Sequence, residues 1–251
     1  MLVIDIGNTN IVLGIYRDKK LLNKKRIESN KKSTFKDLKK FLINNKKFFL
    51  ISDSNICIVS SVVPKLNTKI KKIILNFNLK IFFLQPSNFP FDIKIKYDLK
   101  SIGSDRIANT IALINSKIND SIIVDFGTAT TFDVIKNRQY EGGLIFPGIN
   151  ISHDSLVRNA ALLKSIKIIK MKNVVSNNSV ESIQSGFYWG YVSVVNGLLK
   201  KIIKEKKFNP KIILTGGLAN IFKSQIICNP KVNENLTLEG LRIIGKKINA
   251  K

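Results

Sequence analysis

Apolar and polar positions alternate along the chain in two similar series. In the first, Leu2-Val3-Ile4 runs into the polar turn Asp5-Ile6-Gly7-Asn8-Thr9-Asn10, and Ile11–Tyr16 forms a second apolar stretch. A third follows near Leu21–Ile27, after the turn Arg17-Asp18-Lys19-Lys20. Short apolar runs bounded by turn residues predict strands. Ser33-Thr34 precedes a segment with Phe35, Leu38, Phe41 and Leu42 on one face, which predicts a capped helix over about 35–46. Ile56–Val63 predicts a strand buried on both faces, since Cys57-Ile58-Val59 is apolar throughout. Pro64 opens a helix to about Phe77, and Ile81–Leu84 predicts a last short strand.

The series then starts again. Residues 86–102 read as an irregular connection, and Gly103-Ser104-Asp105-Arg106 opens a helix to about Ser116. Strands are expected at Ser121–Asp125, Thr130–Ile135 and Gly142–Phe146, followed by a break at Pro147-Gly148 and a helix over about Ser152–Leu163. Lys164–Asn178 has weak periodicity and predicts a surface loop. A long helix over about Val180–Glu205, a strand at Lys211–Leu214 and a helix over about Leu238–Ile248 complete the chain. The order β-β-β-α-β-α-β is that of a ribonuclease-H-like domain. The expected class is therefore α/β, with two duplicated domains over 1–117 and 118–251.

Composition narrows the partners. The 251 residues, 44% of them hydrophobic, suffice for a large buried core. No apolar run reaches the 18 to 20 residues or so that span a bilayer, so no membrane partner is expected. The amino terminus enters a strand at once, leaving no room for a cleavable signal. Cys57 and Cys228 are expected as two buried thiols in a reducing cytoplasm. The formal net charge is +25, yet only Arg17, Arg26, Arg106, Arg138, Arg158 and Arg242 are arginines and the lysines are spread through every segment. Without a basic tail, an arginine cluster or a recognisable nucleic-acid motif, this predicts non-specific adhesion to polyanions at low salt and no specific nucleic-acid partner.

Candidate chemistry lies at the ends of the two leading strands. Asp125-Phe126-Gly127-Thr128-Ala129-Thr130-Thr131 repeats the design of Asp5–Asn10, and the two aspartates lie 120 residues apart. A glycine that lets backbone approach a ligand, hydroxyl and N–H donors, and a carboxylate able to hold a cation together suit a phosphate turn. Thr215-Gly216-Gly217, after a third apolar strand, suits close approach to a nucleoside.

These three elements, in this order, resemble the sugar kinase and actin-like ATPase superfamily, in which two duplicated halves enclose a nucleotide cleft. With Gly103–Arg106, Gly142-Gly143-Leu144-Ile145-Phe146-Pro147-Gly148 and Ser179-Val180-Glu181-Ser182-Ile183-Gln184-Ser185-Gly186, the whole chain is similar to type III pantothenate kinases, also described as Bvg accessory factors. The resemblance implies ATP-dependent phosphorylation of pantothenate to 4'-phosphopantothenate, the first step of coenzyme A biosynthesis, by a cytoplasmic homodimer. It assigns ATP to Asp5, Ile6, Gly7, Asn8, Thr9, Asn10, Ile11, Val12 and Thr128. It assigns Mg²⁺ to Asp5 and a monovalent cation, K⁺ or NH₄⁺, to Asp125. Pantothenate falls to Gly103, Ser104, Asp105, Arg106, Ser179 and Tyr97.

Phosphoryl transfer needs positioning, charge stabilisation and a base, and Asp105 is the candidate base, expected to stay ionised at a helix N-terminus beside Arg106. Arg106 offers a fork for a carboxylate. Ser179 stands where the family usually has threonine. The segment around Tyr97 lacks the proline usual in the family and is shorter by one residue. Asp133 reads as structural, His153 as either near the acceptor pocket or a solvent-facing cap, and Tyr188, Trp189 and Tyr191 as core or subunit contacts. The alternatives are another small-molecule kinase of the superfamily and a nucleic-acid-binding regulator.

Overall fold

In the computed structural model, residues 1–51, 55–160 and 163–250 are described. They form two compact units, one of residues 1–117 with 235–251, the other of 118–234.

The first unit is built on strands β1 (Leu2–Ile6), β2 (Asn10–Arg17), β3 (Lys20–Glu28), β4 (Ile56–Ser61) and β5 (Lys80–Phe83), in the order β3-β2-β1-β4-β5. β1 runs antiparallel to β2 and parallel to β4, so it is hydrogen-bonded on both edges and buried. Its apolar residues reflect that: Leu2, Val3, Ile4 and Ile6 are all 0% exposed. Side chains alternate across a strand. Leu2, Ile4 and Ile6 accordingly share one face with Ile11, Leu13, Cys57 and Val59, packed on Leu38 and Leu42 of α1 (Thr34–Asn44) and Ile70 and Ile74 of α3 (Pro64–Leu75). The other face carries α4 (Ser104–Asn115) and α8 (Leu236–Asn249), whose Gly245 approaches Ile58.

The placement of α8 was not expected. A division at 117/118 puts residues 235–251 with the second half, whereas α8 packs along α4. Gly240 of α8 lies against the Ala108 backbone so closely that a Cβ would collide with its carbonyl, and the Thr237 hydroxyl bonds the Asn109 side chain at 2.9 Å. A short helix, α2 (Lys46–Ile51), also follows α1 where one helix was expected to end.

The second unit repeats the plan with β6 (Ser121–Phe126), β7 (Ala129–Lys136), β8 (Gln139–Pro147), β9 (Lys211–Gly216) and β10 (Lys231–Val232). Its order, β8-β7-β6-β9-β10, matches the first sheet strand for strand, with the same antiparallel and parallel pairings. The core joins Ile122, Val124, Phe132 and Leu214 to Tyr188, Tyr191, Val195 and Leu199 of the long α6 (Ser179–Lys206) and Phe222 of α7 (Ala219–Phe222). Between β8 and α6 lies α5 (Ile149–Asn159), which starts directly after Gly148 rather than at Ser152. It ends at Asn159: of the remaining residues of the helix expected to about Leu163, Ala160 and Leu163 are not helical, and Ala161 and Leu162 lie outside the described residues. Cys57 is buried as expected, but Cys228 is exposed, in a turn between α7 and β10. No helix among the described residues is long and apolar enough to cross a membrane.

Candidate active site

The turn joining β1 to β2 is closed by the Gly7 N–H on the Asn10 carbonyl at 2.9 Å. It is braced from the end of β3, which the sequence reading missed. The Ser29 hydroxyl donates to the Gly7 carbonyl at 2.6 Å, the Ser29 N–H to the Thr9 carbonyl at 2.9 Å, and the Asn30 amide to the Asn8 carbonyl at 3.3 Å. Carbonyl oxygens would repel a phosphate, and the protein has engaged those of this turn. The side chains of Asn8 and Thr9 stay exposed. Of the residues assigned to ATP, Ile6 and Ile11 are 0% exposed in the core, so they can reach a nucleotide only through backbone.

Asp5 is half-buried at the end of β1. Burial pushes its carboxyl up to about 7, and the charge of Asp105 adds to this; a hydrogen bond from Ser60 and the charge of Arg26 oppose it. Asp105 sits in the first turn of α4, where one carboxylate oxygen accepts the Arg106 N–H at 2.8 Å. Its carboxyl is also raised, chiefly by burial, against the Arg106 hydrogen bond and charge. The expectation that the helix terminus and Arg106 keep Asp105 ionised therefore meets a stronger opposite effect. A raised carboxyl is better matched to taking a proton near neutral pH.

The Asp105 carboxylate occupies the space a Cβ on Gly103 would need, so a larger residue there would displace that carboxylate. The Ser104 hydroxyl is buried and directed inward, 3.0 Å from the Ser60 hydroxyl and 2.9 Å from the Ser61 N–H that donates to it. Its backbone N–H is one of the first-turn donors that have no partner within a helix. Arg106 is only 4% exposed, with its guanidinium carbon 5.5 Å from the centre of the Tyr97 ring. Tyr97 is thus brought to Arg106 despite the altered segment around it.

In the second unit the β6–β7 turn closes the same way, the Gly127 N–H donating to the Ala129 carbonyl at 3.1 Å. Asp125 is half-buried beside Gly216, whose φ is +88°. A Cβ at Gly216 would come within 2.5 Å of the Asp125 carboxylate and 2.6 Å of the Phe126 backbone. Thr128 is half-buried in the turn, whose carbonyl packs on Gly148 at the start of α5. α5 is tied to α6 by the Tyr191 hydroxyl, which donates to the Pro147 carbonyl at 2.8 Å and lies 2.9 Å from the Ser152 hydroxyl. Ser179 is exposed at the first position of α6, which is capped by the Asn178 side chain accepting the Glu181 N–H at 3.0 Å.

The remaining residues have structural surroundings. Asp133 is fully buried and accepts the Tyr140 hydroxyl at 2.8 Å. His153 is 3% exposed, neither a cap nor solvent-facing: its Nε2 accepts the Ile166 N–H at 3.3 Å and its ring stands edge-on to Phe187. Tyr188 and Tyr191 belong to the core of their own unit, and the indole N–H of half-buried Trp189 donates to the Asn173 carbonyl.

The family description "Type III pantothenate kinase" matches residues 1–201. The chain belongs to the type III pantothenate kinase family. The type III pantothenate kinase of Geotalea daltonii is 40% identical over 252 residues, covering 97% of each chain. That of Pelagibacter ubique is 38% identical over 243 residues, covering 96% of each. Among solved structures, a Baf family protein from Campylobacter jejuni superposes with a TM-score of 0.62 at 20% identity over all of both chains. MreB 5 of Spiroplasma citri, solved bound to AMPPNP, superposes with a TM-score of 0.52 at 13% identity, covering 99% of this chain and 96% of that one. These two share the fold of this pantothenate kinase family member, the actin-like ATPase fold of two duplicated α/β domains.

Proposed function

We propose that this chain transfers the γ-phosphate of ATP to the primary hydroxyl of pantothenate, with Asp105 as the base. ATP-dependent phosphorylation of pantothenate in coenzyme A biosynthesis is the reaction of the family to which it belongs. The observation that carries the assignment of Asp105 is its coupling to Asp5 within one unit. The charge of Asp105 raises the proton affinity of Asp5, and burial raises that of both, so the pair forms a site that attracts both a cation and an acceptor proton. Asp105 takes the hydroxyl proton as that oxygen bonds to phosphorus, and ADP leaves with the electrons of the broken P–O bond.

Mg²⁺ fits Asp5. An ion arriving with a triphosphate needs one or two carboxylates and phosphate oxygens, not a protein cage, and a half-buried carboxylate beside the charge of Asp105 favours a cation. Bound there, Mg²⁺ supplies charge neutralisation on the phosphates. Asn8, Thr9 and Thr128 present donors to the phosphate oxygens. Arg106 answers the pantothenate carboxylate once the Tyr97 ring gives way, with the Ser104 N–H and Ser179 as further contacts. At Asp125 a carboxylate beside backbone oxygens of its own turn is the hard donor set that K⁺ or NH₄⁺ takes. The protein works in the cytoplasm as a homodimer. Ile145, Ile151, Val174, Val175 and Val180 of the second unit are exposed apolar side chains that a second copy could cover.

A coupled assay for ADP release tests the reading. Turnover is expected with pantothenate, not with simple sugars or without acceptor, and is expected to be higher in K⁺ than in Na⁺. Turnover with a sugar alone overturns it. Gly216→Ala is expected to cost about 1–3 kcal/mol of stability, because alanine is strained at positive φ and its methyl meets the Asp125 carboxylate. The same variant should lose the difference between K⁺ and Na⁺, measured in the same assay alongside a denaturant melt.

A further inference from the structure

Ser60 is 0% exposed at the end of β4, carries no assigned role, and lies where three separate elements meet. In the parallel pairing of β1 and β4 it stands directly beside Asp5, and its hydroxyl bonds that carboxylate. The same hydroxyl is 3.0 Å from the hydroxyl of Ser104, the first residue of α4 and the one before Asp105. Ser104 in turn accepts the Ser61 N–H at 2.9 Å. A hydroxyl has one proton to donate and two lone pairs. If Ser60 gives its proton to the Asp5 carboxylate, its contact with Ser104 must be an accepted bond. The Ser104 proton then goes to Ser60 at 3.0 Å in preference to the Ser61 carbonyl, which lies at 3.4 Å, and the Ser61 N–H fills a Ser104 lone pair. Whenever Asp5 is ionised, its charge sets the direction of the whole chain, amide to hydroxyl to hydroxyl to carboxylate.

The internal duplication gives an independent sign. In the second sheet the residue paired with Asp125 in the same parallel register is Thr215, also a hydroxyl residue and 3% exposed. A buried hydroxyl thus stands beside the leading-strand aspartate in both halves, whereas apolar Val59 and Leu214 precede them.

We propose that Ser60 is a positioning residue that couples the Asp5 carboxylate to the N-terminus of α4, fixing Asp105 relative to the phosphate end of the site. The proposal rests on the kinase reading with Asp105 as base. Ser60 touches no reacting atom; it bonds Asp5 directly and reaches Asp105 only through its neighbour Ser104. Buried hydroxyls that hold reacting groups act on the chemical step, because small displacements there cost far more in rate than in binding.

The test measures kcat, pantothenate KM and Mn²⁺ binding to the nucleotide-free protein, the last by equilibrium dialysis, for wild type, Ser60→Ala, Ser104→Ala and the double variant. Ser60→Ala is expected to lower kcat about tenfold or more, to leave KM within about twofold, and to weaken Mn²⁺ binding, while the melting profile stays cooperative. Ser104→Ala is expected to repeat the kcat loss, and the double variant to fall no further than the worse single one, since one connection is cut either way. Wild-type kcat in folded Ser60→Ala, or losses that multiply in the double variant, overturns the proposal. Should Ser60→Ala not fold, Ser104→Ala still decides: a loss confined to KM overturns the coupling. Wild-type protein without pantothenate-dependent ADP release refutes the kinase reading instead, independently of what Ser60 does.

Discussion

Asp105→Asn is expected to lower kcat for pantothenate phosphorylation by about 10²- to 10⁴-fold, the range supplied by a positioned base. The pantothenate KM should change far less, since asparagine keeps the shape of the side chain and can still accept the Arg106 N–H. The pH profile distinguishes a base from a mere structural acid. Because burial raises the Asp105 carboxyl, wild-type kcat/KM should decline on the acid side at a pH above the ordinary carboxylate range. The residual activity of Asp105→Asn should lack the part of that decline due to Asp105. Steady-state kinetics from about pH 5 to 9 measures both, and an active Asp105→Asn variant removes Asp105 from the chemistry.

Asp5→Asn is expected to trade activity for stability. In the folded protein Asp5 keeps its proton up to about pH 7, against an ordinary value of 3.8. Between these values the folded state holds more protons than the unfolded one. Stability therefore declines as pH rises from about 4 to 7 and stays at the lower level above that. Three pH units set a ceiling of about 4 kcal/mol, and partial solvent access reduces this to about 2 kcal/mol. Asparagine carries no charge at any pH, so the ligand-free variant should melt about 4–8 °C above wild type at pH 8 and close to it at pH 4. Activity should fall by orders of magnitude at the same time, because the cation on the phosphates loses its carboxylate. Calorimetry at the two pH values checks the stability; equal melting at both pH values refutes the burial argument.

The parts of the site written in local sequence were legible. β1 and β6 carry Asp5 and Asp125 one residue before their ends, after apolar runs, and the turns that follow have the composition their geometry requires. Gly103 at the head of α4 was readable for the same reason. Ser60, Ser29 and Asn30 were not, because what they do depends on strand register: Ser60 matters only once β4 lies beside β1 with position 60 opposite position 5. The upward push on the Asp105 carboxyl was not legible, because burial is a tertiary quantity, and here it outweighs the nearby arginine. β10 is two residues long, too short for any periodicity, and gains its identity from pairing with β9. His153 looked ambiguous from its neighbours in sequence, yet one of its partners, the N–H of Ile166, lies thirteen residues further along the chain, beyond the end of α5.

The alliance of α8 with α4 has a consequence for the order in which the chain can be completed. Residues 1–117 leave the ribosome first, but the apolar residues that cover their second sheet face, Leu238, Leu241 and Ile244, are made only after the whole of residues 118–234. At about 10 residues per second the first unit waits roughly 10 s for its last helix. The second unit, continuous in sequence, has every strand it needs before then. The half synthesised first is thus the half finished last, and through that interval the helix bearing Asp105 lacks the partner that covers it.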